Sequence, residues 1–213
     1  MALGVCGLAG WVRSGERDLL VTTAIFLGAA VLTKSEGEAF ALAAFVAAAV
    51  AAPAVRRREL VRPAVAVVLI DLPWRLWVAI HGVKSTDYRV SDVLSPSYLA
   101  DHANRVWPAI RELCIQMAGR GSFGYLLPLV GVALAGAIAL RGYRTVTFAA
   151  VWIVLSFAAL VITYWVSDNP LTSNLFNSSD RTIDSIVFGA ALLVPVLVTR
   201  EREANGAHEH PSG

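Results

Sequence analysis

The sequence contains little charge for its length. Charged side chains make up 16% of the 213 residues, against roughly 25% in soluble domains, whereas hydrophobic residues make up 56%. The net charge of +2 comes without a basic patch or a recognisable nucleic-acid-binding module, so nucleic acid is excluded as a partner. Cysteine is scarce as well, and Cys6 and Cys114 fall in an apolar and a polar segment. We therefore expect two unbridged thiols in a membrane protein.

Six apolar stretches have about the length needed to cross a bilayer, the first two being at the short end. They are Leu19 to Leu32, Ala39 to Ala52, Ala64 to Ile80, Phe123 to Leu140, Val146 to Trp165 and Ile183 to Thr199. We predict an all-α, polytopic transmembrane bundle of about six spans over residues 1–199.

Arginine is concentrated in alternate connections between these stretches. The arginines are Arg13, Arg17, Arg56, Arg57, Arg58, Arg62, Arg141, Arg144, Arg200 and Arg202. By the positive-inside rule these connections face the cytoplasm, and the remaining polar segments, including the long loop 81–122, face outward. The polar tail 200–213 is then a disordered cytoplasmic segment, and its His208 and His210 lack a third metal ligand.

The beginning of the chain is unusual for a membrane protein. Residues 1–12 are apolar but cover only about half a span, and they lack the basic leader and cleavage site of a signal peptide. They resemble the end of a helix whose first part is absent, and the alternative is a short re-entrant or interfacial segment.

Two segments place ionisable groups at or within the predicted membrane. The hairpin Thr33 to Glu38 contains Lys34 and Glu36, which suit an anionic headgroup, although a snorkelling lysine beside capping carboxylates explains them equally. In the third span, Asp71 and Arg75 are spaced i, i+4 and are expected to pair, because each charge facing lipid would cost about 2.5–3.5 kcal/mol. The pair forms either the wall of an outward-opening cavity or a structural lock.

The long outward loop is predicted to contain amphipathic helices. Ser95 and Pro96 have the form of an N-cap followed by a first-turn proline, and a stripe of apolar residues continues to Met117, with a break expected at Trp107-Pro108. A scaffold helix on the membrane surface explains most of this loop. The residues nearest the third span with chemistry to offer are His81, Tyr88 and Arg89.

The last outward segment, 167–181, ends in Asp180 and Arg181 at the head of the final span. Ser178, Ser179 and Asp180 are suitable helix caps, which is the structural alternative to a role in a site. The three outward segments converge on one membrane face, where charged residues and helix N-termini suit a phosphate.

Taken in order, these motifs resemble the second half of bacterial GT-C type glycosyltransferases, the family of the lipid-A aminoarabinose transferases and protein mannosyltransferases. The resemblance rests on Leu32 to Gly37, Leu72 to Trp77, His81-Gly82, Asp87-Tyr88 and Ser178 to Arg181, and it covers most of 19–198. It implies a multi-pass protein of the bacterial plasma membrane that transfers a sugar from a polyprenyl-phosphate carrier to an acceptor at the non-cytoplasmic face.

The resemblance also implies roles for individual residues. It assigns Lys34, with Arg75 or Arg181, to the carrier phosphate, Glu36 to orienting Lys34 or a substrate hydroxyl, and Asp71 to holding Arg75. The family's catalytic aspartate lies in an earlier outward loop that would precede Met1, so the chain is expected to need an N-terminal segment or partner subunit. The cofactor is left open: a divalent metal is compatible with the resemblance, although the sequence contains no ligand set for one. A lipid or small-molecule transporter and a non-catalytic assembly subunit are the alternatives.

Overall fold

The computed structural model describes residues 1–33, 36–83, 93–118, 123, 125–139 and 142–198, and at 173, 174, 176, 177 and 180 it describes the backbone only. All regular structure within these ranges is helical, which confirms the all-α prediction. The helices are α1 (Ala2–Ser14), α2 (Asp18–Thr33), α3 (Gly37–Ala51), α4 (Val61–Ile80), α5 (Pro96–Asp101), α6 (Val106–Ala118), α7 (Leu126–Ala139), α8 (Tyr143–Val166) and α9 (Leu171–Val198). Short 3₁₀ segments, Ala54–Leu60 and Ala103–Arg105, precede α4 and α6.

Three helical stretches are long and apolar enough to cross a bilayer, namely Ala54–Ile80, α8 and residues Arg181–Val198 of α9. The other three predicted spans correspond to α2, α3 and α7, which are apolar but have only 16, 15 and 14 residues. At 1.5 Å per residue they extend about 21–24 Å, short of the roughly 30 Å hydrocarbon core. The helices thus associate the chain with a membrane, and three of the six predicted spans have the length of a complete crossing.

Helix α1 lies at the centre of the bundle. It packs against α2, α3, α8 and α9, and Val5, Leu8, Ala9 and Trp11 are fully buried. A helix lying on the membrane surface would bury one face only, whereas α1 is enclosed by four other helices. The thiol of Cys6 on this helix donates to a carbonyl of α9, and it and Cys114 are both unbridged, as expected.

Small residues allow these helices to approach closely. A Cβ at Gly4 would lie 2.7 Å from the side chain of Leu27, and one at Gly189 would collide with the indole of Trp152. Helix α3 is rich in alanine, and it packs along α8 through Ala44, among other buried alanines. Such close backbone approach is the usual basis of helix association where lipid removes the hydrophobic driving force.

The bundle has two distinct ends. At the arginine-rich end, the Arg13 guanidinium donates to the carbonyl of Val196, 3.3 Å away, near the end of α9, and Arg17 pairs with Glu59. At the opposite end, which we call the hairpin end, Phe40 of α3 belongs to the same buried cluster as Tyr164 of α8. The predicted grouping of basic connections therefore agrees with the packing of the helices described.

The helices of the long loop pack at the hairpin end. Ser95 caps α5 by accepting from the Tyr98 backbone N–H at 3.4 Å, as predicted, and the Trp165 indole donates to the Leu99 carbonyl at 3.0 Å. The loop is broken into two helices, as predicted, but the break lies between Asp101 and Val106 and not at Trp107-Pro108, because a proline in the first turn of α6 sacrifices no helical hydrogen bond. Residues 84–92 and the tail 200–213 lie outside the described residues.

A candidate functional site between helices α3 and α4

Two glycines bring α2, α3 and α4 together at the hairpin end. Gly37 begins α3, and a Cβ there would collide with the carbonyl of Ala30, so only glycine permits so tight a connection between α2 and α3. Gly28 of α2 faces Ile70 of α4, where a Cβ would lie 2.5 Å from the Ile70 Cδ1. These close approaches place the first turn of α3 and the last two turns of α4 at one end of the bundle.

An arginine and two carboxylates form a charged cluster at this place. Arg75 Nε lies 2.9 Å from Asp71 Oδ2, which confirms the predicted i, i+4 pair. Arg75 Nη2 forms a second ion pair with Glu38 Oε1 on α3. Glu38 is part of the predicted hairpin motif but was not among the predicted site residues. We name Glu38, Asp71 and Arg75 the charged cluster.

The cluster is only partly removed from solvent. The side chain of Asp71 is 13% exposed, whereas those of Glu38 and Arg75 are 43% and 48% exposed. A guanidinium has five N–H donors in a planar fork, and the two carboxylates engage Nε and Nη2. The N–H groups of Nη1 have no partner in the described part of the chain, so one edge of the fork remains available for a further anion.

Asp71 has an unused acceptor. Its Oδ1 is buried, and none of the described residues donates a hydrogen bond to it. A buried carboxylate oxygen without a donor is unfavourable, which makes this atom a suitable acceptor for a hydroxyl group. The cluster therefore offers donors to an anion and an acceptor to a hydroxyl within one helical turn.

Aromatic rings occupy a neighbouring face of α4. Trp74 and Trp77 stack with centroids 5.2 Å apart, and the His81 ring stacks on Trp77 at 4.4 Å. His81 Nδ1 also lies 2.8 Å from the Trp77 carbonyl oxygen. Both tryptophans are about half exposed, as suits side chains at the level of lipid headgroups. His81 is thus held on the end of α4 itself rather than against Arg75.

The other predicted site residues are dispersed or outside the described residues. Glu36 occupies the N-cap position of α3 without a capping hydrogen bond from its side chain. Lys34, Tyr88 and Arg89 lie outside the described residues, as does the side chain of Asp180. Arg181 is exposed on α9, which packs on α1, α6, α7 and α8, whereas α4 packs on α2. The packing does not bring Arg181 to the charged cluster.

The capping role considered for the segment before the final span is wrong. Helix α9 begins at Leu171, so Ser178 and Ser179 lie inside it rather than at its start. The hydroxyl of Tyr164 on α8 lies 2.9 Å from Ser178 Oγ and 3.0 Å from Thr182 Oγ1. These bonds satisfy hydroxyl groups that would otherwise compete for the hydrogen bonds of the helix backbone. Composition does not reveal such contacts, so it suggested a loop here.

Comparison of the chain with protein-family models, with curated proteins and with solved structures finds no match. The described residues also contain no group of three histidine, cysteine, aspartate or glutamate side chains placed to hold a metal ion.

Proposed function

We propose that this chain is the carrier-binding portion of a bacterial membrane glycosyltransferase, which transfers a sugar from a polyprenyl-phosphate carrier to an acceptor at the non-cytoplasmic face. The observation that supports the proposal best is the charged cluster, where carboxylates from two helices hold Arg75 at the hairpin end with one edge of its guanidinium accessible. The proposal includes six spans, with α2, α3 and α7 as short crossings, and places the arginine-rich end in the cytoplasm.

The position of the cluster suits an amphipathic phosphate carrier. Arg75 lies in the last two turns of the apolar helix α4, beside the exposed indoles of Trp74 and Trp77. A polyprenyl chain would lie along the apolar surface of α4, where Val68, Leu69 and Leu72 are exposed, and its phosphate would reach the level of Arg75. A secondary transporter, by contrast, is expected to carry its charges near the midplane.

In the proposed reaction an acceptor hydroxyl attacks the anomeric carbon, and the bond from that carbon to the carrier phosphate oxygen breaks. A carboxylate base, which the family resemblance places in a preceding loop, takes the hydroxyl proton, and the lipid phosphate leaves with the bonding electrons. Arg75 stabilises the departing phosphate through Nη1, Asp71 and Glu38 fix the plane of the guanidinium, and Asp71 Oδ1 accepts from a sugar hydroxyl.

Charge balance requires further cations beside Arg75. Two carboxylates and one guanidinium have a formal charge of −1, which repels a phosphate. Lys34 follows α2 directly in sequence and is assigned to supply the missing charge. Glu36, at the N-cap position of α3, is assigned to orient Lys34.

The test is binding of a short-chain polyprenyl phosphate to purified protein in nanodiscs. Arg75→Ala should weaken binding by about one to two orders of magnitude, since a charge-assisted hydrogen bond contributes roughly 1.5–3 kcal/mol. Arg144→Ala is the matched control, because Arg144 is an exposed arginine in the first turn of α8, at the other end of the bundle.

A second variant separates binding from folding. Arg75→Ala leaves two carboxylates without a partner and is expected to lower stability. The triple variant Glu38→Gln, Asp71→Asn and Arg75→Gln removes every charge of the cluster together and should fold, yet bind the carrier more weakly than wild type because it lacks the guanidinium. A folded triple variant with wild-type carrier affinity would reduce the cluster to a structural lock and would remove the support for this function.

A further inference from the structure

A cleft at the arginine-rich end lies between α2 and α4, away from the charged cluster. Its volume is about 570 Å³, within the range of ligand sites. Polar residues of the α1–α2 connection and of the segment entering α4 line it, together with apolar residues of both helices. The lining residues are Arg17, Asp18, Leu20, Val21, Ala24, Arg58, Glu59, Arg62, Pro63 and Ala66.

The cleft lies beside the close contact between α2 and α4, nearer the arginine-rich end. Gly28 and Ile70 bring the two helices into close contact, whereas Ala24, Pro63 and Ala66 are too small to fill the space nearer the arginine-rich end. The part of the lining formed by the two helices is therefore largely apolar. The charged residues of the lining belong to the segments in which α2 and α4 begin.

The charges at the opening are not balanced among themselves. Glu59 is occupied, because Arg17 Nη2 lies 2.9 Å from its Oε1 and the Trp11 indole donates to its Oε2 at 3.2 Å. Arg58 and Arg62 form no ion pair in the described part of the chain. Asp18, in the first turn of α2, is the remaining carboxylate of the lining, so the lining has two carboxylates against three guanidinium groups. One positive charge is left for a ligand.

We infer that this cleft binds an anionic phospholipid of the surrounding membrane. Its phosphodiester would be held by Arg58 and Arg62, and one acyl chain would enter between α2 and α4 against Ala24 and Ala66. The physical basis is the combination of two available guanidinium groups with an apolar channel continuous with the exposed lipid-facing surface, where Val21 and Val65 are 62% and 49% exposed. Basic pockets between membrane helices bind anionic headgroups in this way.

The experiment measures lipid retention by native mass spectrometry of detergent-purified protein titrated with phosphatidylglycerol, phosphatidylcholine or glycerol 1-phosphate. Wild type should retain one phosphatidylglycerol in preference to phosphatidylcholine and should not bind glycerol 1-phosphate. Arg58→Gln with Arg62→Gln should weaken phosphatidylglycerol binding by roughly twenty- to thirtyfold, about fivefold for each charge removed. The double lysine variant should recover most of it, and Arg144→Gln should bind as wild type does.

Filling the channel tests the acyl chain separately. Ala66→Leu keeps every charge and should still weaken phosphatidylglycerol binding. Equal retention of phosphatidylglycerol and phosphatidylcholine by wild type, or unchanged binding in the glutamine double variant, would overturn the inference. Equally tight binding of glycerol 1-phosphate would replace the lipid with a soluble anion. Polyprenyl-phosphate binding at Arg75 should be unaffected by the glutamine double variant, so the two sites can fail independently.

Discussion

Arg75 of α4 forms an ion pair with Glu38 of α3, although α4 packs chiefly on α2. The pair joins α4 to a second helix at the hairpin end, and Asp71 fixes the same guanidinium from within α4 at 2.9 Å. An arginine held by partners on two helices keeps one orientation, which is the geometric requirement for recognising a phosphate.

Removing the charge of Glu38 is predicted to strengthen carrier binding, although Glu38 is a partner of Arg75. Glu38→Gln should raise affinity for a short-chain polyprenyl phosphate by roughly three- to tenfold, because it removes a negative charge that competes with the phosphate for Arg75. The thermal stability should change by less than about 1 kcal/mol, as both partners are nearly half exposed. Glu16→Gln, at an exposed position of the arginine-rich end, is the control. Weaker carrier binding would show that Glu38 contributes to the site directly.

Lys34 should contribute a positive charge to the same phosphate. Lys34→Ala should lower carrier affinity by about one to two orders of magnitude, and Lys34→Arg should restore part of the loss. The control is Lys84→Ala, which removes the chain's other lysine. The measurement is the same nanodisc titration, with thermal unfolding recorded in parallel. A folded Lys34→Ala protein that binds normally would assign the snorkelling role to this lysine.

The contact between α8 and α9 should be sensitive to a single methyl group. Gly189→Ala introduces a Cβ that collides with the Trp152 indole, and overpacking of this kind costs about 1–3 kcal/mol. Gly131→Ala in α7 is the matched control, since no other group approaches its Cβ position within 4 Å and alanine favours a helix. Denaturant titration in detergent micelles should therefore separate the two. A Gly189→Ala protein as stable as the control would show that the helices shift without cost.

The orientation of the bundle can be read by cysteine labelling. In a Cys6→Ala, Cys114→Ser background, Ser97→Cys in α5 should react with a membrane-impermeant maleimide on intact cells, and Ala54→Cys should react only after lysis. Both positions are exposed, so burial within the protein does not limit their reaction with the maleimide. The opposite pattern would place the arginine-rich end outside and would contradict the proposed function.

Local patterns predicted the parts of this structure that depend on neighbours in sequence. The i, i+4 spacing of Asp71 and Arg75 predicted their pair, and Ser95-Pro96 predicted the start of α5, because both features form within one or two helical turns. The third member of the cluster, Glu38, could not be predicted in the same way. Its pairing depends on the relative position of α3 and α4, which cannot be derived from the spacing of residues within either helix.

At the beginning of α9, the prediction made from composition was wrong. The polar residues before Arg181 suggested a loop, yet α9 extends back to Leu171. Leu175 is buried and Tyr164 of α8 lies within hydrogen-bond distance of Ser178 and Thr182, so tertiary contacts offset the low helix propensity of the segment. A signal was present in the apolar spacing of Leu171 and Leu175, one helical turn apart.

The central position of α1 has a consequence for biosynthesis. Chain segments emerge from the ribosome in order, so α1 enters the membrane well before α8 and α9, the helices that enclose it together with α2 and α3. Until those helices arrive, the surface of α1 around Val5 and Trp11 must contact lipid, a chaperone or another helix. Its native environment is completed only when α8 and α9 have been made, so the folding of α1 depends on helices that follow it far along the chain.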